Sequence, residues 1–491
     1  MSRSTEANTA PESTHRLTGR LGAASVTFMV IAAAAPLTVV GGLMPVGYLI
    51  GNGEGFPFIF LVATAILLLF SVGLVAISKH VPDAGAFFTY ISHGLGKVSG
   101  VSAAYLALIC YTTVQCAVFA LLGASISGDL VLLGAPEIPW WIFTLITIAI
   151  VGYLGYRNIE LSSRVLVVVL LAEMGIVLIL ALAVVLQNGA EGLSLEGFTL
   201  GKILSGSPAL GLMFAIASFI GFESTVIYRS EVRDPDRTIA RATYSSALVI
   251  GLFYTVAAWA LLMGIGPSKV LEVVGADPST VLARVTETFL SPVGGVVIAV
   301  LFLGSMFAAV LSLHNVLARY KFAMAKAKLM PGRLATVHPR YNSPAISSLV
   351  QTGIAVLLLI IVLITGIGPV NAFTWFAGIG TLAIILLYAA TCLAVIVFFR
   401  KNKVESKVLR TLVAPGLGLI GLLVSALLVA SNFPLLVNDV DAEGVPTFGV
   451  ISTVLLVVVL AGPVIGIVQS LVIRSRDPQA YADITQRIEQ G

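Results

Sequence analysis

Twelve apolar runs of membrane-spanning length, joined by short polar connections, leave this chain few ways to fold. They lie at about 21–50, 56–78, 97–127, 138–156, 161–187, 208–228, 238–265, 293–325, 343–365, 369–399, 411–432 and 447–473. A hydrocarbon core about 30 Å thick takes roughly 20 residues of α-helix to cross. A transmembrane β-barrel would show alternating segments of about ten residues, whereas these runs are continuous. Only 11% of the residues are charged, 58% are hydrophobic and the mean hydropathy is +1.02. Soluble domains carry about 25% charged residues, so lipid is the solvent this composition fits. The expected fold is an all-α polytopic membrane protein with 12 transmembrane helices.

The basic residues sort by side. With the N-terminus inside, the inner segments collect 25 of the 28 Lys and Arg residues, and the outer ones hold only Lys202, Lys269 and Arg284. Lys and Arg concentrate in cytoplasmic segments, and a miscount by one span would scramble the alternation. Both termini are therefore expected in the cytoplasm, in a multi-pass protein of the cell (plasma) membrane. Residues 1–20 are polar, lack the h-region of a signal peptide, and read as a disordered tail. Residues 21–399 read as the core, 411–473 as two additional spans and 474–491 as a second tail. The longest outer connection, about 266–292, carries the weakly amphipathic "PSTVLARVTETFL" and is expected to lie across the outer surface. Cys110, Cys116 and Cys392 fall in apolar runs and read as buried thiols. His15, His80, His93, His314 and His338 show no metal spacing, and neither a metal nor a cofactor is expected.

Charged side chains inside membrane spans are rare and mark functional positions by default. Glu173 stands midway along run 5 in "VLLAEMGIVLIL", and Glu223 in run 6 in "SFIGFESTVIY". Each reads either as a structural carboxylate bonded to a neighbouring helix or to freed backbone amides, or as a proton carrier. Thr112, Thr113 and Gln115 in run 3, with Ser305, Ser312 and Asn315 in run 8, are further polar positions. Small hydroxyls commonly just bond the preceding turn. Trp375 in run 10 reads as a gate or as a packing aromatic.

The backbone is out of place too. Run 1 contains "IAAAAPLTVVGG", with Pro36 and the pair Gly41 and Gly42, and run 6 contains "SGSPALGLMFAIASFIGFES", with Gly221. Non-helical backbone survives at membrane depth only where protein or a cavity covers it. If the first ten runs are two halves of five, about 21–187 and 208–399, then runs 1 and 6 open the two halves. Five is odd, so the halves have opposite orientation, which makes them an inverted repeat. Interrupted helices at corresponding places point to a transporter binding site. A freed N–H stub suits a carboxylate and a freed C=O stub suits an ammonium or other cation, so a zwitterion of amino-acid size matches both.

Three stretches resemble the amino acid–polyamine–organocation (APC) transporters. "PDAGAFFTYISHGLG" is similar to that family's Pro-x-x-Gly-Gly-x-Tyr-x-Tyr, with Ala86 for the second Gly, Phe88 for the first Tyr and Tyr90 kept. "FIGFESTVIYRSEVRDPDRTIARA" resembles Phe-x-Gly-Phe-Asp/Glu followed by Glu-x-x-Asn-Pro-x-x-x-Ile-Pro, through Glu231, Asp234, Pro235 and Ile239, with Ala240 where Pro is usual. "ARYKFAMAKAKLMPGRLATVHPRYNSPAIS" is similar to Arg-x-x-(Phe/Tyr)-x-Met…Leu-Pro…Pro through Arg319, Phe322, Met324, Pro331 and Pro344. The resemblance implies a leucine-transporter-like fold of five plus five inverted helices, with helices 1 and 6 broken and two further C-terminal helices. It implies a permease that moves amino acids by alternating access, proton-coupled or by exchange, the alternative being an amine, polyamine or other organic cation.

The resemblance also implies a substrate site. Ala34, Ala35, Pro36, Leu37 and Thr38 would line the helix 1 break, where Pro36 removes one amide. The family's substrate-facing carbonyls fall at about Ser218, Phe219, Ile220 and Gly221, with Phe222 beside them. Some proton-coupled members carry a lysine in helix 5, and Glu173 stands near that position, nine residues on from Arg164. Glu173 and Glu223 are the proton-coupling candidates, with no catalytic residues expected. The expected partners are a small amino acid or amine, protons and the lipid bilayer, not nucleic acid. No G-x-x-x-x-G-K-[ST] stretch points to a primary pump and no H-E-x-x-H to a membrane enzyme.

Overall fold

The computed structural model describes residues 22–81, 86–157, 163–232 and 234–489. The stretch 1–20, residues 82–85 of the first family-like motif and Arg233 lie outside the described residues, as do the side chains of Arg164 and Glu231. α1 (Ala23–Ala33), the single turn α2 (Pro36–Thr38) and α3 (Met44–Ile50) share the first run, with a π-helical turn at Val39–Leu43. α4 (Phe56–Ser78), the short α5 (Ala86–Leu95), α6 (Lys97–Leu132), α7 (Trp140–Tyr156) and α8 (Ser163–Leu186) follow. α9 (Leu200–Ile203) leads to α10 (Pro208–Ala217), and a 3₁₀ segment, Phe222–Glu231, leads on to α11 (Pro235–Ile265). Then come α12 (Val270–Ala276), α13 (Val281–Phe289), α14 (Pro292–Lys326), α15 (Ala345–Thr365) and α16 (Pro369–Asn402). α17 (Ala414–Ser431), α18 (Phe433–Val437), α19 (Val450–Arg476) and α20 (Pro478–Glu489) complete the chain.

Among the described residues, 11 helical segments are long and apolar enough to cross a membrane. The fourth run forms α7, an apolar helix of 17 residues. It rises about 25 Å, somewhat short of a hydrocarbon core. Leu171, Leu178, Leu182 and Leu186 on α8, and Val457, Leu460 and Val464 on α19, are exposed. Apolar faces of that extent have no place against water; together with the spans, they make the chain a multi-pass membrane protein.

Local chemistry sets several helix starts. Asp234 accepts the Arg237 N–H at 3.4 Å and Pro235 takes the first helical position of α11, so the Asp-Pro pair of the second motif is a cap. Asp439 accepts the N–H groups of Gly449 and Ser452 at 3.0 and 2.9 Å and the Ser452 hydroxyl at 2.7 Å, holding the start of α19. The Ser452 and Gly449 donors hold the Asp439 carboxyl below the ordinary carboxylate range. The connection at about 266–292 folds as α12 and α13. Its second helix is more strongly two-sided than its sequence indicates: Val281, Leu282, Val285 and Phe289 are buried while Arg284 and Glu287 are exposed. The Gln187 side chain, just past α8, donates to the Phe289 carbonyl at 2.6 Å.

α6 is the central post, with α16 and α19 packed along it. Small residues let the backbones close. A Cβ on Gly466 of α19 would lie 2.4 Å from the Ser102 Cα, and one on Gly462 would lie 3.0 Å from the Leu106 Cα. Gly466→Val therefore has no room without parting α19 from α6, and overpacking of this kind destabilises by about 1–3 kcal/mol. We expect a lowered unfolding temperature for Gly466→Val in detergent and none for Gly416→Val, whose Cβ position is open. Equal unfolding temperatures for the two variants would refute this packing.

Candidate functional site

The first break follows from Pro36. Proline has no N–H, its ring clashes with the carbonyl four residues back, and it turns the preceding residue away from the helical region. Ala35 accordingly sits at φ 46°, ψ 68°, in the left-handed region, and α2 restarts at Pro36. A left-handed alanine costs about 1–2 kcal/mol. Ala34, Ala35, Pro36, Leu37 and Thr38 are all buried. Gly41 and Gly42 do not break the helix. They lie in the π-helical turn, where added Cβ atoms would meet Phe302 at 2.8 Å and Leu121 at 2.4 Å, so these glycines admit neighbouring side chains.

The Leu37 amide, freed at the restart, is already in use. Glu173 Oε2 accepts the Leu37 N–H at 3.3 Å and the Ser305 hydroxyl at 3.1 Å. The Thr38 hydroxyl donates to Ser305 Oγ at 3.1 Å. Glu173 is only 3% exposed, so this is a buried carboxylate joining α8, α2 and α14. Both the amide and the threonine expected to meet a substrate are thus engaged within the protein.

The second break runs through Ser218, Phe219, Ile220 and Gly221. Ser218 is helical in backbone and its hydroxyl bonds back to the Phe214 carbonyl at 2.8 Å. The amides of Phe219, Ile220 and Phe222 bond the carbonyls three residues back, and Gly221 turns at φ 108°. The ten-residue 3₁₀ stretch that follows is far longer than the usual three or four residues and marks strain or a hinge. The carbonyls of Phe219 and Gly221 accept from Phe222 and Ser224. Among the described residues, those of Ser218 and Ile220 stay outside these turn bonds.

A second carboxylate closes this break. Glu223 Oε2 accepts the Gly221 N–H at 2.8 Å and the Tyr388 hydroxyl at 2.9 Å, and Oε1 accepts the Tyr111 hydroxyl at 3.2 Å. One side chain thus ties the 3₁₀ segment to α6 and α16. Phe222 is fully buried, with ring centroids 5.9 Å from both Phe70 and Tyr388. Phe219 packs 6.2 Å from the Tyr254 ring. The buried Tyr254 hydroxyl has no partner among the described residues. The two breaks are neighbours, since α1 packs against the 3₁₀ segment and α2 against α8 and α14.

Tyr111, Tyr254 and Tyr388 have no mark in the sequence beyond being phenols in apolar runs. Gln115 lies elsewhere: it donates to the Val310 carbonyl and accepts from Gln351, to which Lys321 donates. Thr113 bonds its own helix, Ser312 is exposed, and Trp375 is a partly buried packing aromatic.

A family model described as amino acid permease matches residues 21–467. The chain belongs to the amino acid permease family. This permease is 25% identical over 366 residues to the branched-chain amino acid permease BcaP of Bacillus subtilis, covering 71% of this chain and 75% of that one. It is 23% identical over 369 residues to the low-affinity putrescine importer PlaP of Escherichia coli K12, covering 71% and 77%. It is 24% identical over 462 residues to the gamma-aminobutyric acid permease of Escherichia coli K12, covering 90% and 94%. The permease is a transporter and not an enzyme.

Tyr388→Phe removes one donor from a buried carboxylate. Hydrogen bonds to charged groups contribute about 1.5–3 kcal/mol, so a lowered unfolding temperature is expected. The loss should shrink in a Glu223→Gln background, where the charge is gone; equal losses in both backgrounds would show that the two residues are uncoupled.

Proposed function

We propose that this permease is a secondary active carrier that moves amino acids across the cell membrane by alternating access, with proton coupling at Glu173. Twelve spans, cytoplasmic termini and an inverted repeat of five plus five helices complete the reading. One observation carries it: the amide freed by the helix 1 break is held by a side-chain carboxylate, which a substrate carboxylate can replace.

Two carboxylates cannot share the Leu37 amide while both are ionised, because like charges a few ångströms apart repel strongly in a medium of low dielectric. A proton on Glu173 removes that repulsion and weakens its claim on the N–H. Substrate and proton then bind together, which is the linkage symport requires. The ammonium of the same substrate suits the spare Ser218 and Ile220 carbonyls, at the partial negative end of α10. Glu223, with Tyr111 and Tyr388, fastens the 3₁₀ segment to α6 and α16 until the pathway opens on that side.

Glu173→Gln is permanently neutral. In proteoliposomes it should lose uptake driven by a proton gradient while keeping exchange of labelled for unlabelled substrate. Accumulation with unchanged pH dependence would refute the role of Glu173.

A second reading is transport of an amine or polyamine. It draws on the burial of Glu173 and Glu223 with no Lys or Arg in ion-pair distance among the described residues. A cationic substrate would neutralise them. One relative carries the name of a putrescine importer and two are named as permeases of amino acids. All three compounds bear a primary amine, and only the amino acids add a carboxylate. A thermal-shift screen of purified protein against amino acids and amines separates the readings, since a ligand stabilises by mass action. Stabilisation by α-amino acids and none by putrescine is expected; the reverse pattern would establish the amine reading.

A further inference from the structure

We propose that the inner end of the protein holds the phosphate headgroup of an anionic phospholipid, in a cleft between α4, α11 and the connection from α16 to α17. The cleft and the open solvent at its mouth together span about 330 Å³. α4 lines it with Val72, Val75 and Lys79, positions that share one helical face. Tyr244 of α11 lines a second side, and Glu405 and Arg410 of the connection line the third.

The polar lining is short of acceptors. The half-buried Lys79 ammonium has no hydrogen-bond acceptor within reach among the described residues. The Arg410 guanidinium stands 4.0 Å from Glu405 Oε2, too far for a hydrogen bond, and its donors find no acceptor among the described residues. Among the lining residues two cations stand against one carboxylate, and Asp236 of α11, a second acid near Lys79, is paired with Arg229. An ammonium, a guanidinium and a phenol around one cavity form a donor set for a phosphodiester, whose oxygens accept several charge-assisted bonds at once.

The surroundings favour a lipid over a soluble anion. Residues 400–410 contain five basic side chains, Arg400, Lys401, Lys403, Lys407 and Arg410, with Glu405 as the one acid. Interleaved with them, Val404, Val408 and Leu409 are more than half exposed. Basic residues alternating with bare aliphatic ones belong at a membrane–water boundary, where the first meet headgroups and the second meet acyl chains. A soluble phosphate would make no use of the valines and leucine. The wall formed by Val72 and Val75 continues that apolar surface into the cleft. α4 packs on α11, which packs on α1 and the 3₁₀ segment, so a headgroup here would brace the helices beside both breaks. The choice of the inner leaflet rests on the orientation proposed above.

The full-length protein in nanodiscs supplies the test. We expect the unfolding temperature to rise by several degrees when phosphatidylglycerol is mixed into phosphatidylcholine. Lys79→Gln with Arg410→Gln should remove at least half of that rise, and Arg474→Gln with Arg476→Gln should keep it. Glu405→Gln, which leaves both cations and deletes the acid, should enlarge the rise, giving an opposite sign that a general loss of folding cannot mimic. Inorganic phosphate added to phosphatidylcholine discs should change nothing. A full rise in the Lys79/Arg410 double variant, a smaller rise in Glu405→Gln, or stabilisation by inorganic phosphate alone would each overturn the proposal. These readouts record lipid binding, so they stand apart from the identity of the transported solute. Reaction of Lys403→Cys with an impermeant thiol reagent from the outside would overturn the assignment to the inner leaflet.

Discussion

A backbone amide without a partner in hydrocarbon is expensive, and this protein breaks two spans in ways that create such amides. The positions of many other residues follow from how those amides are satisfied. At Pro36 the chain cannot continue as a helix, and the Leu37 N–H faces a carboxylate from a different helix, Glu173. At Gly221 the left-handed turn leaves an N–H that a carboxylate two residues further on, Glu223, folds back to accept. The remaining amides of the second break are absorbed by bonds three residues long, which is why a lengthy 3₁₀ stretch follows there rather than an α-helix. The polar groups around the breaks, Ser305, Thr38, Tyr111 and Tyr388, serve these two carboxylates in turn.

Among the described residues, both carboxylates are held by dipoles and not by cations. An arginine or lysine partner would hold each anion in a pair that is strongly destabilised when either member is lost. Amide and hydroxyl donors instead stabilise the charge in increments of about 1.5–3 kcal/mol per bond. Such a shell can be exchanged bond by bond for a substrate group, or made redundant by a proton. A carrier needs that reversibility, because its site must be filled and emptied in every cycle without trapping either state.

Eleven of the twelve expected spans, the two breaks and the two glutamates were legible in the sequence because each is local. A run of apolar residues, a proline before "LTVVGG" and a glutamate among leucines each stand out within a short window. Leu37 and Glu173, by contrast, are 136 residues apart, and Tyr388 and Glu223 are 165 apart. Nothing in the spacing of phenols along α6 and α16 announces that two of them turn toward one carboxylate. Gly41 and Gly42 mislead for a related reason. A glycine pair a few residues after a proline reads as a breaker, yet its use here is steric, admitting Phe302 and Leu121, and those neighbours lie far away in the chain. The two-sidedness of the connection at about 266–292 was underestimated because the apolar face of α13 gains its meaning only from the helices beneath it.

The two glutamates are not equivalent, and the difference assigns them separate roles. Glu223 accepts an amide of its own segment, so its charge first stabilises the local turn, while the two tyrosine hydroxyls bring the neighbouring helices to it. Loss of those hydroxyls would release α6 and α16 and still leave the Gly221 cap in place. Glu173 has no local amide. Its contacts all cross to other elements, to Leu37 on α2 and Ser305 on α14. Neutralising Glu173 therefore acts directly on the relation between helices, and neutralising Glu223 acts first on the shape of one. A group whose hydrogen bonds all cross between elements ties the relation of those elements to its own charge, and among the described residues that holds for Glu173.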